Sequence, residues 1–244
     1  MAGIIIGVVL LAVAGVLLFL SNRSKQKGAG MAAAPTVPVK DLIAVGSNVV
    51  EVVGTATVVG PQLTSPLGGQ PCVWFRATVH EVERYTDRDA GGRTRTRTRE
   101  RCISDDTSST PIPIDDGTGT VLVRLDGLDV DEPVLSVDRR VDDRDSLGQE
   151  ILQGLLGGSD TDHYRQREHI IPVGQRLYAI GAVSNDPGGP WLTEPADKGQ
   201  PFLVSTRDEA SLSKSAASSA RWLTIGAAVA GVAGVAALVA GAVA

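Results

Sequence analysis

Two long apolar segments at the ends of the 244-residue chain constrain its fold more than any other feature of the sequence. Residues 2–20 contain no charged side chain, and residues 222–244 contain a single threonine among apolar residues. Each segment is long enough to cross the hydrocarbon core of a membrane, which takes about 20 helical residues. Every charged residue lies between Arg23 and Arg221. The sequence therefore predicts two transmembrane helices that hold one polar domain between them.

Each apolar segment also has a simpler explanation. The first segment could be a cleaved signal peptide, but no basic residue precedes it and bulky leucines and a phenylalanine end it, which favours an uncleaved anchor. The second segment is rich in alanine and glycine, so the alternative is a soluble alanine-rich helix. We expect an anchor there as well, because the segment offers almost no polar face to water.

Basic residues beside the two segments predict the orientation in a membrane. Arg23, Lys25 and Lys27 follow the first segment, and Lys214 and Arg221 precede the second, whereas the outer flanks contain no lysine or arginine. Loops rich in lysine and arginine stay on the cytoplasmic side. We therefore expect a two-pass integral membrane protein with its central domain in the cytoplasm and both termini on the opposite side.

Small residues recur at helical spacing in both apolar segments. Such residues let helix backbones approach closely in lipid, so they predict packing between the two helices or self-association into a homo-oligomer. The other explanation is that glycine and alanine are common in such helices. The predicted packing residues are Gly3, Gly7, Gly15, Gly226, Ala230 and Gly234.

The region between the anchors divides into three parts by composition. Residues 21–44 are small, basic and proline-containing, which is typical of a flexible tether. Residues 45–205 form the predicted domain. Residues 206–221 are predicted to be a helical linker, because Thr206 and Glu209 have the spacing of a helix capping box.

The central domain has the composition and turn signals of a β protein. Valine, isoleucine, threonine and glycine are common there, and Gly-, Pro- and Asp-rich turns separate the apolar stretches. We predict a mainly β fold, a small barrel or sandwich with an OB-like barrel as one form, and one inserted helix over residues 146–156. The predicted strands cover residues 48–59, 71–85, 120–125 and 175–183.

The most unusual polar segment is residues 93–101, in which arginine alternates with threonine or glutamate. At the two-residue period of a strand these arginines share one face. A hairpin centred near Ala90 would place Glu81 opposite Arg99, so one explanation is a solvated hairpin with cross-strand ion pairs. The other is contact with anionic lipid headgroups or an acidic protein partner. The candidate contact residues are Arg93, Arg95, Arg97, Arg99 and Arg101.

Three phrases in the central domain resemble, in order, the GIDE domain, also called the BAM (beside a membrane) domain. They are residues 53–56 with 63–75 (VGTA, LTSPLGGQPCVWF), residues 113–123 (PIDDGTGTVLV) and residues 167–181 (REHIIPVGQRLYAIG). The family includes a mitochondrial membrane E3 ubiquitin ligase and many prokaryotic proteins, and its domain is flanked by membrane helices. The resemblance implies a membrane-bound domain related to these ligases.

The sequence departs from those ligases in its zinc ligands. The ligases contain a RING domain, which binds zinc through sets of cysteine and histidine ligands. The printed sequence has two cysteines and three histidines and no CxxC pair. We therefore expect a family member of prokaryotic type without a RING, in which ubiquitin-ligase activity would need a RING supplied in trans.

The remaining polar residues predict no catalytic, cofactor or metal site. The acidic residues between 126 and 145 do not match a calcium-binding loop, and a solvated acidic loop is expected there. Cys72 and Cys102 form either one disulfide or two reduced thiols, the second being commoner in cells. The net charge of −5 and the lack of aromatic residues beside the arginines argue against nucleic-acid binding.

Together these features predict a membrane-anchored, non-catalytic interaction or scaffold module. The alternatives are activity of the E3-ligase type, and a structural membrane protein that assembles through its small-residue helices.

Overall fold

The computed structural model describes residues 7–19, 34–88, 91–125, 127, 129–142, 161–186, 189–207, 227–231, 233–237 and 239. The predicted helix over residues 146–156, most of the predicted linker, Gly3 and Gly226 lie outside the described residues. Within these ranges no helix is both long enough and apolar enough to span a membrane.

The central region is mainly β, as its composition predicts. A 3-10 turn at Val39–Asp41 and a helical turn at Leu42–Val45 precede the first strand. The strands of the described ranges are β1 (Val49–Ala56), β2 (Leu63–Thr64), β3 (Pro71–Arg88), β4 (Thr94–Thr107), β5 (Ile112–Asp115), β6 (Thr120–Val123), β7 (Val134–Val141), β8 (Thr161–Pro172), β9 (Arg176–Ser184), β10 (Trp191–Thr193) and β11 (Leu203–Ser205).

Five of these strands close into a barrel. Neighbours follow the order β1-β5-β6-β10-β9, and β9 pairs back onto β1 from Val49↔Ala182 to Thr55↔Arg176. The β6–β10 pair is parallel and the other pairs in the ring are antiparallel. Numbered along the chain, the barrel strands follow the order 1-2-3-5-4-1, a five-stranded Greek-key barrel of the OB-like kind. The predicted small barrel is therefore confirmed.

The barrel core consists of aliphatic side chains that point inward from every strand. Ile112 and Ile114 of β5 and Leu192 of β10 are fully buried, and Trp74 of β3 joins the same cluster. At Gly54 in β1, an added Cβ atom would lie 2.6 Å from the carbonyl oxygen of Asp115. Glycine at this position lets β1 and β5 approach closely enough to close the barrel.

A second sheet is inserted into the barrel topology. Its order is β2-β3-β8-β7, and β4 pairs with β3. Strands β2–β4 lie between barrel strands β1 and β5 along the chain, and β7 and β8 lie between β6 and β9. An irregularity between Cys72 and Trp74 lets β3 direct Trp74 into the barrel core, while Phe75 and Ala77 pack in a separate cluster.

The packed unit extends back to residue 34, into the predicted tether. Val39 and Leu42 are buried in the barrel core at 4% and 0% exposure. Residues 34–44 therefore belong to the folded domain, because their apolar side chains cover one end of the barrel.

The two cysteines are free thiols on different parts of the second sheet. Cys72 is buried and Cys102 is exposed. Cys102 pairs with His80, which lies roughly 27 Å along β3 from Cys72 at the strand rise of about 3.4 Å per residue. A disulfide needs Cα atoms within about 7 Å, so the two reduced thiols are the correct alternative.

Candidate functional site

The second sheet extends beyond the barrel as an exposed antiparallel hairpin. Strands β3 and β4 pair from Arg76↔Thr107 to Arg88↔Thr94. Residues 84–88 and 91–101 are all exposed. We call residues 81–88 together with 91–101 the arginine arm. All five predicted contact arginines lie on it, with Arg93 just before β4 and the other four within the strand.

The predicted register of the arm is wrong by two residues. Glu81 pairs with Arg101 rather than Arg99, and Asp87 pairs with Arg95. The turn is centred one residue later than predicted, and Gly92 has a positive φ of 76°, a conformation that glycine adopts readily. Because the shift is an even number of residues, the arginines still share a face with the carboxylates.

The arginines contact acidic and aromatic groups of β3. The Arg101 Nη2 atom lies 2.5 Å from Oε2 of Glu81, whose side chain is fully buried. Farther out, the Arg97 Nε atom lies 3.6 Å from an Asp87 carboxylate oxygen. The Arg99 guanidinium lies 5.8 Å from the centre of the Tyr85 ring, within cation–π range. These contacts leave the Arg97 and Arg101 side chains more than half exposed, so both can also contact another molecule.

A buried carboxylate joins the first and third family-like phrases. Glu168 on β8 is fully buried, and it accepts hydrogen bonds from the N–H groups of Leu67 (2.6 Å) and Gly68 (3.1 Å). The Ser136 hydroxyl donates another at 2.6 Å. A Cβ atom at Gly68 would lie 2.8 Å from the same carboxylate, so a larger residue would displace it. Glu168 therefore fixes the turn after β2, which is a structural role.

The chain enters and leaves the β domain on one face of the barrel. Ala34, at the start of the described domain, packs against the buried residues Tyr178 and Ile180 of β9. Leu203 of β11 packs against the same two residues and pairs directly with Ile180. The entry segment pairs with β1 at Thr36↔Glu51 and β11 pairs with β9, so the two segments contact the same face from the two edges of the β1–β9 pair.

Two acidic side chains hold these segments to the barrel. Glu51 accepts a hydrogen bond from the Thr36 hydroxyl at 3.0 Å, near the entry. Asp131 binds Arg207 through two nitrogens, with Nη2 2.8 Å from Oδ1 and Nε 3.0 Å from Oδ2, near the exit. Asp131 therefore has a defined partner, whereas the sequence predicted a solvated acidic loop there.

Asp116 provides a third attachment at the entry. Its carboxylate accepts hydrogen bonds from the backbone N–H groups of Val39 (2.8 Å), Thr118 (2.8 Å) and Gly119 (3.2 Å). Burial alone would raise the pKa of Asp116, but these hydrogen bonds outweigh it and lower the pKa below the usual value. The ionised carboxylate therefore stabilises the contact between residue 39 and the turn after β5.

The two terminal helices contact each other through small residues. An added Cβ atom at Gly234 would lie 3.2 Å from the Gly7 carbonyl oxygen and 3.1 Å from the Leu11 side chain. Ala14, seven residues after Gly7, and Ala227, seven residues before Gly234, are also buried. The closest described approach between the two helices is therefore at Gly7 and Gly234.

Two further predicted packing residues are less buried than Gly7 and Gly234. Gly15 is exposed, and no atom lies within 4 Å of a Cβ added there. Ala230 is half-buried. The described contact between the helices therefore uses Gly7 and Gly234 from the predicted set, together with Leu10 and Leu11, which were not among the predicted packing residues.

The described residues contain no group of three or more His, Cys, Asp or Glu side chains placed to hold a metal ion. Burial, and to a smaller extent the nearby Glu168 carboxylate, raises the pKa of the Cys72 thiol to about 11. A thiol with such a pKa is protonated at neutral pH and is a poor nucleophile. Cys72 is therefore a packing residue.

These features define a class of protein: a small β barrel with an inserted second sheet, in a chain that also has two apolar helices packed against each other. The family model GIDE, described as E3 ubiquitin ligase, matches residues 81–241, which is more than half of the chain. The chain therefore belongs to the GIDE family. The matched range includes the whole arginine arm and the second and third family-like phrases. No curated protein and no solved structure matches the chain.

Proposed function

We propose that the chain is a membrane-anchored, non-catalytic interaction module of the GIDE family, with its β domain held beside a bilayer. The apolar segments over residues 2–20 and 222–244 would be the anchors, since each has the length that a membrane-crossing helix needs. The basic residues beside them favour a cytoplasmic β domain with both termini on the opposite side.

The observation that most supports this proposal is the convergence of entry and exit on one face of the barrel. Two anchors in one bilayer require that the chain leave the domain twice on the same side. Ala34 and Leu203 support this arrangement, because both pack against the cluster formed by Tyr178 and Ile180 of β9. The close approach of Gly234 to Gly7 adds support, because small residues allow helices to pack closely in lipid.

The contact surface in this proposal is the arginine arm. It extends from the second sheet, away from the barrel core, and its arginines are exposed. An acidic protein partner or anionic headgroups would complement this charge.

The family description supports a second candidate, a role in ubiquitin transfer. Since the printed sequence lacks the ligands for a RING, that role would need a RING-bearing partner. We expect no ubiquitin transfer by the chain alone; transfer that appears only when a RING protein is added would favour this candidate.

Labelling of a native cysteine tests the anchoring and the orientation. Cys102 is exposed on the second sheet, whereas Cys72 is buried with a raised pKa, so a membrane-impermeant maleimide should react with Cys102 alone. We expect Cys102 to be protected in intact cells and labelled after lysis, and Cys102→Ser to remove the signal. Labelling in intact cells would reverse the orientation, and extraction of the chain from membranes by carbonate would contradict the anchoring.

A further inference from the structure

The outer edge of β4 is a long, exposed sheet edge. β4 is 14 residues long and pairs with β3, and in the part of the chain that the structure describes no strand pairs with its other edge. Such an edge presents a row of N–H and C=O groups to which a strand from another molecule can pair. The edge of β4 is therefore a surface for strand addition.

The positive and negative charges on one face of the arm lie on different strands. On one face, β4 contributes only arginines at alternate positions, while β3 contributes the carboxylates. Neighbouring strands lie about 4.8 Å apart, so a strand added to β4 would be about that far from the arginines and about twice as far from the carboxylates. The nearer charges dominate at these distances, so the edge attracts negative side chains. The arginines are Arg95, Arg97, Arg99 and Arg101, and the carboxylates are Glu81, Glu83 and Asp87.

A second copy of the chain fits this edge poorly. Two copies of β4 related by a twofold axis perpendicular to the sheet would place arginines opposite arginines on the same face. Like charges directly opposite each other destabilise a strand pair. The arginine row therefore disfavours pairing of two β4 edges, although the same row favours binding of an acidic strand.

A lipid surface also fits less well than an acidic strand. The arginines of β4 and the carboxylates of β3 lie on the same face of the arm, so a flat anionic surface would meet both signs of charge. A strand at the β4 edge meets the arginines first and uses the backbone groups that a lipid would leave unpaired.

We propose that the β4 edge binds an extended acidic segment of a partner protein as an added strand, with Asp or Glu at alternate positions opposite Arg95, Arg97 and Arg99. The inference rests on the proposed function and names the kind of partner that the arm takes. Main-chain hydrogen bonds supply affinity in this mode, and the alternate carboxylates set the register.

The test measures binding of a short synthetic peptide, in which Asp or Glu alternates with Thr or Val, to the full chain in nanodiscs of neutral phosphatidylcholine. A peptide with the same composition but contiguous carboxylates, and one with alternate backbone amides N-methylated, serve as ligand controls. We expect the alternating peptide to bind and both control peptides to bind at least about ten-fold more weakly.

Variants of the arm complete the design. Each arginine-to-glutamine change should weaken binding about two- to five-fold, so Arg95→Gln, Arg97→Gln and Arg99→Gln combined should weaken it about ten- to a hundred-fold. The matched control combines Arg84→Gln and Arg88→Gln, which lie on the other face of the arm and should leave binding unchanged.

Each outcome separates the inference from the proposed function. Equal binding of the N-methylated peptide would overturn the added-strand mode. If no peptide bound but phosphatidylserine vesicles captured the nanodiscs through the same arginines, the acidic-strand partner would be overturned and the arm would stay the contact surface. If neither the peptide nor the phosphatidylserine vesicles bound, the role of the arm as the contact surface would be overturned.

Discussion

The barrel and the arginine arm differ in what stabilises them, although β3 contributes Trp74 to the barrel core and one strand to the arm. The barrel closes on itself and buries Ile112, Ile114 and Leu192 completely. In the arm, residues 84–88 and 91–101 are all exposed. Burial of apolar surface stabilises the barrel, whereas the arm gains little from it. Folding therefore constrains the sequence of the arm only weakly, and its regular arginines are better explained by contact with another molecule.

The largest expected effect on stability comes from removing buried methyl groups from the barrel core. Ile114→Ala removes fully buried methyl groups and should lower the free energy of unfolding by about 2–5 kcal/mol. Thr96→Ala, at an exposed position of the arm, should change it by less than about 0.5 kcal/mol. Denaturant unfolding of the full chain in detergent measures both, and similar losses for the two variants would remove the contrast between the regions.

The next effect concerns the junction of the two sheets. Glu168→Ala leaves the N–H groups of Leu67 and Gly68 and the Ser136 hydroxyl without their buried acceptor, and each such group costs about 1–3 kcal/mol. Because Leu67 is half-buried and Gly68 is exposed, water can replace part of this hydrogen bonding, and we expect a total loss of about 3 kcal/mol, the lower end of that sum.

A second readout for Glu168→Ala is the reactivity of Cys72, which belongs to the buried cluster that Leu67 packs against. Release of the turn should expose this thiol to maleimide, while the exposed Glu100→Ala should leave it protected. Unchanged protection of Cys72 in Glu168→Ala would show that the turn does not depend on the carboxylate.

A smaller effect is expected at Asp116, which joins the entry segment to the barrel. Because hydrogen bonds lower the pKa of Asp116 below its usual value of 3.8, its ionised form stabilises the folded state above that pH. This contribution is lost as the pH falls through the lowered pKa, where the carboxylate is protonated. Asp116→Asn should therefore lose about 1 kcal/mol at neutral pH, and its difference from the wild type should shrink at acid pH. A difference that stays constant from pH 7 to pH 3 would contradict this assignment.

The sequence predicted the longer strands with apolar alternation and missed short apolar strands such as β5 and β10, as well as β8, whose buried side is partly polar. The predicted strands over residues 48–59, 71–85, 120–125 and 175–183 correspond to β1, β3, β6 and β9. Strand β8 was not predicted, because two of its alternate buried residues are Gln166 and Glu168, which hydrogen bonds satisfy only in the folded sheet. Hydropathy alone does not reveal such a strand.

The candidate site was predictable to a similar extent. The alternation of arginines identified the arm and the face they share, because a period of two depends only on strand geometry. The register depends on where the turn forms, and Gly91 and Gly92 next to Ala90 left several turns available. The attachments at Glu51, Asp116 and Asp131 join residues distant in sequence, so no local pattern predicted them.

The smallest expected effect is a difference in stability between two neighbouring arginine variants of the arm. This difference tests where along the arm the part that folding requires ends. Arg99 stacks at 5.8 Å from an exposed tyrosine ring, so Arg99→Gln should change stability by less than about 0.5 kcal/mol. Arg101 binds Glu81, which is fully buried, so Arg101→Gln leaves a buried carboxylate short of a partner and should cost more. Unfolding midpoints of the two variants test this order. If Arg101→Gln costs more stability than Arg99→Gln, the part of the hairpin that folding requires ends between these two arginines. The arginines beyond that boundary can then be substituted without loss of the fold, so their pattern is explained by what the arm binds.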